Sequence, residues 1–174
     1  PQTHRAYWER LAQPGSWWTG VERVAIAQET RNALTCQFCL DRKQALSPYQ
    51  AKGNHTHGGS LSSVAVDAVH RIITDQGRIT RQWVDDNAGN GLSKEAYVEL
   101  VGVVVTVFSI DEFSRALGIE VERLPEPAPG AISRYRPAIL SDDMGFVPTV
   151  APHGNVGKEA DLWQDARAAN VIRA

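Results

Sequence analysis

Leu100-Val101-Gly102-Val103-Val104-Val105-Thr106-Val107-Phe108 is the run on which the fold turns. Read as a buried strand, so β-branched a stretch requires a sheet; read as a helix, it makes the chain all-α. Its flanks favour the helix. Lys94-Glu95-Ala96-Tyr97 before it and Asp111-Glu112-Phe113-Ser114-Arg115-Ala116-Leu117 after it have helical period, with Ser93 placed as an N-cap and Gly118 as a C-terminal stop. We therefore expect an all-α fold around one long central helix, running from Ser93 to Leu117 and apolar on every side.

Working outward, Thr80 is positioned to cap a short helix through Trp83 and Val84, closed by the turn Asn87-Ala88-Gly89-Asn90-Gly91. Before that, Leu61, Val64, Ala65, Ala68, Val69, Ile72 and Ile73 recur at helical spacing, with Ser60, Ser62 and Ser63 as possible caps and Gly77 as the stop. His70 lies on this core-facing helix, where a lone histidine is commonly a hydrogen-bonded structural residue. Val21, Val24, Ala25, Ala27 and Leu34 form one stripe of a helix from Gly20 to about Asn32. Glu22, Glu29 and Cys36 follow one another at seven-residue intervals, so on a continuous helix Glu29 points toward the thiol region. At the start, Pro14-Gly15 is a turn, and Trp8, Trp17 and Trp18 supply large apolar area for this chain's own core or for a second subunit.

Downstream of Glu122 the composition changes. Pro125, Pro127, Pro129, Pro137, Pro148 and Pro152 exclude a long helix and predict an extended C-terminal arm, followed by a short helix from about Lys158 with Leu162, Trp163 and Ala166 on one side. A chain of 174 residues is read as a single domain, 1–174. Its net charge of −2, with lysines and arginines scattered, gives no basic face for nucleic acid. The stretch Val98–Ile110 is too short and too interrupted for a membrane span, and no leader of basic start and apolar middle is visible, so the expected location is the cytoplasm.

The chemistry is concentrated in Thr35-Cys36-Gln37-Phe38-Cys39-Leu40-Asp41-Arg42-Lys43, which holds both cysteines as C-x-x-C. Thr35 is the expected N-cap of a short helix ended by Ser47-Pro48. Unpaired backbone N–H groups in its first turn would favour a thiolate, as would the Lys43 ammonium one turn beyond Cys39. Three readings compete. One is a thiol oxidoreductase in which one cysteine attacks and the other resolves. Another is a zinc site of Cys36 and Cys39 with His55 and His57 from the loop Gly53–Gly59, although a single residue between two histidines is tighter than structural zinc sites usually have. The last is an oligomeric interaction module without catalysis. A thioredoxin fold lacks the alternating strands and helices it needs.

Taken together, Glu22-Arg23-Val24-Ala25-Ile26-Ala27, Cys36-Gln37-Phe38-Cys39, Gly91-Leu92-Ser93, Tyr97-Val98-Glu99-Leu100-Val101 and Ala116-Leu117-Gly118 resemble the AhpD-like superfamily, which contains alkylhydroperoxidase D and carboxymuconolactone decarboxylase. The resemblance covers about residues 16–118 and leaves 119–174 outside the shared core. It implies a helical bundle assembled as a homo-oligomer, with the cysteine pair at a helix start beside a buried pocket. In the peroxidase members the second cysteine is peroxidatic and the first resolves it, roles that fall on Cys39 and Cys36. The family's relay histidine, four residues after the second cysteine, is Lys43 here, and its glutamate aligns with Glu22 or Glu29 only after a shift along the helix. A lysine ammonium is a poor proton shuttle near neutrality, so another group must serve; Glu29 is the first candidate base and His70 the second. Both thiols being present favours the peroxidase-like branch over the decarboxylase branch, which does not depend on them. The expected activity is reduction of a small hydroperoxide, without cofactor, with an external thiol partner restoring the pair.

Overall fold

In the computed structural model the run at 100–108 is helical, inside a helix α6 that spans Lys94–Ala116. The Ser93 hydroxyl accepts the Ala96 N–H at its start, and at its end Gly118 takes a left-handed φ of 68°, the conformation that glycine adopts without a Cβ penalty. Tyr97, Leu100, Val103, Val104, Val107, Ile110, Asp111 and Ser114 are buried, a spacing of three and four that a strand does not produce. β-Branched residues cost a helix only a few tenths of a kcal/mol each, while burying a valine or leucine side chain gains about 1.5–3 kcal/mol, so packing outweighs propensity. The expectation of burial on every side needs correcting. Val98, Val105 and Phe113 are exposed, because the helices at 20–33, 63–74 and 81–89 all pack on the other face of α6.

The structure describes residues 2–57, 59–142 and 145–151. The chain divides into two compact units, Pro1–Arg134 and Tyr135–Ala174. In the first unit, α1 (Gln2–Ala12) and α2 (Gly20–Ala33) precede α3 (Gln37–Gln44), α4 (Ser63–Thr74), α5 (Arg81–Gly89) and α6. Helix α2 lies at the centre, packed on α1, α4 and α6, with α3 against α4. Its first turn is closed by a capping box, Thr19 Oγ1 accepting the Glu22 N–H while Glu22 Oε2 accepts the Thr19 N–H at 2.8 Å. Ser62 and Thr80 cap α4 and α5. Arg31 on α2 grips Asp111 on α6 through two hydrogen bonds of 2.8 and 2.9 Å.

Among the described residues, Trp8, Trp18 and Trp83 serve this chain's own core. Trp8 and Trp83 are buried, Trp18 Nε1 donates to the Ala96 carbonyl at 2.8 Å, and Trp8 Nε1 donates to the Arg123 carbonyl at 2.7 Å. Residues 119–134 carry no helix or strand. They are held by backbone hydrogen bonds from Ala128 to Ala12, Ser133 to Gly15 and Arg134 to Ser16. The second unit contains an antiparallel pair, β1 (Leu140–Ser141) with β2 (Thr149–Val150), Leu140 opposite Val150. The helix expected from Lys158 lies outside the described residues. No helix among the described residues is long and apolar enough to cross a membrane.

Candidate functional site

Helix α2 ends with Leu34 as its C-cap, and the chain turns before α3 begins. The N-cap of α3 is Cys36, not the expected Thr35, so Cys36 and Cys39 present both sulfurs from the first turn. The same break takes Glu29 off the line toward Cys36 that a continuous helix would have given. Its carboxylate meets an imidazole instead.

That imidazole is His70, wholly buried on α4. Its Nε2–H donates to Glu29 Oε2 at 3.1 Å, and its Nδ1 stands 3.3 Å from Cys39 Sγ. Burial holds His70 below the ordinary histidine range; Glu29 opposes this, and the positive charge of His55 adds to it. His70 is therefore neutral near pH 7. With its one N–H committed to Glu29, its Nδ1 lone pair faces the sulfur and accepts the Cys39 S–H.

A second relay lies beside the first. His55 Nδ1 is 3.6 Å from Cys36 Sγ and 3.5 Å from Cys39 Sγ, and its Nε2–H donates to Asp67 Oδ1 at 2.9 Å. Burial alone would lower this imidazole, but the Asp67 carboxylate and both sulfurs outweigh it and raise His55 to about 10. Asp67, although desolvated, is pulled to about 2 by His55 and by the Arg42 guanidinium that it also binds. Burial pushes the Cys36 thiol up, yet the His55 hydrogen bond and the nearby amides of Cys39 and Thr56 bring it below its usual value. This side of the site therefore sets a thiol whose ionisation is favoured, Cys36, beside the His55 imidazolium anchored on Asp67.

The scaffold fixes these groups from several directions. Arg42, buried on α3, donates from Nη2 to Cys39 Sγ at 3.7 Å. Arg78, just after α4, donates to the carbonyls of Arg42 and Ala45 at 2.7 Å each and so closes the C-terminal end of α3. His55 sits edge-on to Phe38 with centroids 5.0 Å apart. The loop carrying it passes so near Phe38 that a Cβ at Gly53, which has φ 153°, would lie 2.8 Å from the ring.

Of the residues singled out from sequence, Cys36, Cys39, Glu29 and His70 meet in one cluster, with the order of the two candidate bases reversed: His70 touches sulfur and Glu29 stands behind it. Lys43 is exposed. Asp67 draws Arg42 inward, and that turns the next residue on the helix to solvent. His57 is exposed too, leaving His55 as the loop's contribution. Cys39, whose sulfur is expected to be open to a pocket, is 1% exposed as a residue, with His55 Nδ1 3.5 Å from the sulfur. Sequence reading missed Arg42 and Asp67. Their signal was a charged residue three positions from a site residue on the buried face: Arg42 after Cys39, Asp67 before His70. Compared with models of known families, with curated proteins and with solved structures, the chain matches none.

Proposed function

We propose that this chain is a thiol-dependent peroxidase of the AhpD-like kind, reducing a small hydroperoxide through Cys39 and Cys36. The observation that carries the reading is the chain Cys39 Sγ, His70, Glu29: a neutral, fully buried imidazole at 3.3 Å from a thiol, oriented by a carboxylate at 3.1 Å. Such an arrangement can take the thiol proton as the sulfur attacks. It supplies the shuttle that Lys43 cannot.

In the proposed cycle His70 Nδ1 accepts the Cys39 proton and the thiolate sulfur attacks the distal peroxide oxygen. The O–O bond breaks, and His70 returns its proton to the leaving alkoxide, giving an alcohol and a Cys39 sulfenic acid. Cys36, whose ionisation His55 favours, attacks the sulfenic sulfur as thiolate. The S–O bond breaks, the disulfide forms, and the departing hydroxide takes the His55 proton to leave as water. A dithiol reductant returns two electrons and two protons. Cys36, 5% exposed against 1% for Cys39, is the sulfur more open to that attack. The resemblance further implies a homo-oligomer, which sedimentation at graded concentration tests.

The experiment is hydroperoxide consumption under a thiol reductant by wild type, Cys39→Ser and Cys36→Ser, with dimedone trapping read by mass spectrometry. Cys39→Ser is expected to lose turnover, and Cys36→Ser to accumulate a trapped sulfenic acid on Cys39. Wild-type consumption by both variants would falsify the proposal.

A further inference from the structure

We infer that the reduced protein binds one tetrahedral divalent metal ion, zinc by preference, through Cys36 Sγ, Cys39 Sγ, His55 Nδ1 and His70 Nδ1. The four atoms lie within 4.8 Å of one another. Three of the four sulfur–nitrogen separations are 3.6, 3.5 and 3.3 Å. Zinc bonds of about 2.3 Å to sulfur and 2.0–2.1 Å to nitrogen, set at tetrahedral angles, give sulfur–nitrogen edges of about 3.5–3.6 Å. Three edges of the tetrahedron therefore already have nearly the length that the ion requires.

A separate observation points the same way. Both histidines turn Nδ1 to the centre and give the other ring nitrogen to a carboxylate, His55 to Asp67 at 2.9 Å and His70 to Glu29 at 3.1 Å. Metal-bound histidines are held in this manner, since the outer acceptor fixes the tautomer and makes the inner nitrogen a better donor. The cysteines and His70 are more than nine-tenths buried, and the His55 side chain is 8% exposed. Two thiolates neutralise a divalent ion, and Arg42 Nη2 at 3.7 Å from Cys39 Sγ offsets further negative charge on sulfur. This set differs from the zinc site expected from sequence by His70 in place of exposed His57. Four protein ligands leave no open position for water or substrate, so the ion holds the thiolates rather than acting as a Lewis acid. The binding stands apart from the peroxide reading, and where both hold, metal and peroxide compete for the same sulfurs.

The test is titration of the reduced, chelator-washed full chain with Co2+, followed by displacement with Zn2+. One Co2+ per chain is expected, with the strong visible bands of tetrahedral cobalt and a near-ultraviolet thiolate charge-transfer band, both bleached by Zn2+. Asp67→Asn should weaken Zn2+ binding about 10–100-fold, and His57→Asn should leave it unchanged, with circular dichroism confirming that each variant is folded. A weak octahedral cobalt spectrum, absence of the charge-transfer band, or equal affinity in folded Asp67→Asn would overturn the inference. Hydroperoxide consumption is assayed separately on metal-free protein. Loss of one property with the other intact therefore identifies which reading failed.

Discussion

At the scale of single residues, the two histidines show how neighbours assign opposite charge states to one side-chain type. His70 is kept neutral by complete burial, whereas His55 is kept charged by Asp67 and the sulfurs. A base must be unprotonated to act, so turnover rises as pH passes upward through the His70 pKa. Glu29 favours the imidazolium, and Glu29→Gln removes that support. The acid limb of the pH–rate profile is thus expected to move to lower pH, with a fall in rate from the weaker base; an unmoved or raised limb would remove Glu29 from the relay. A second expectation concerns stability. His55, raised from 6.5 to about 10, contributes stability that is full below 6.5 and lost as pH rises toward 10. Asp67, lowered from 3.8 to about 2, contributes above 3.8 and loses its contribution as pH falls toward 2. In reduced, metal-free protein the destabilisation by Asp67→Asn should therefore be greatest between about pH 4 and 6.5. Urea unfolding across pH measures it, and a difference that grows toward pH 9 would contradict the assignment.

Among the elements, α6 carries the clearest lesson in what the chain spells out for itself. Ser93 and Gly118 mark its ends in sequence and in structure, and Ser62 and Thr80 do the same for the starts of α4 and α5. Caps are local chemistry and are read locally. What escaped was orientation. An apolar run with no polar face does not say which side is covered, and the choice between Thr35 and Cys36 as cap, or between Lys43 and Arg42 as the inner cation, depends on Asp67 from another helix. His55 lies in a loop without periodicity, so nothing near it distinguished it from His57. The helical reading of α6 is itself testable. Leu100 is wholly buried and Val105 is 50% exposed. Leu100→Ala should cost about 2–5 kcal/mol and Val105→Ala no more than about 0.5 kcal/mol. Thermal or denaturant unfolding would decide this, and comparable losses at both positions would mean that α6 is covered on its second face.

On the scale of the whole molecule, the candidate site falls entirely within the unit Pro1–Arg134, drawn from α2, α3, α4 and the loop before α4. No one of these segments holds a complete relay, which is why the motif alone did not disclose it. His55 also lies against both sulfurs, so closing the disulfide withdraws two of the groups that, with Asp67, hold its proton. The imidazole should therefore lose its charge at lower pH in oxidised, metal-free protein than in the reduced form. Histidine ring resonances followed by NMR over a pH series in both redox states measure the change, and an unmoved His55 titration would contradict it. A protein wired in this way would register its own oxidation as a change of charge beside the sulfurs.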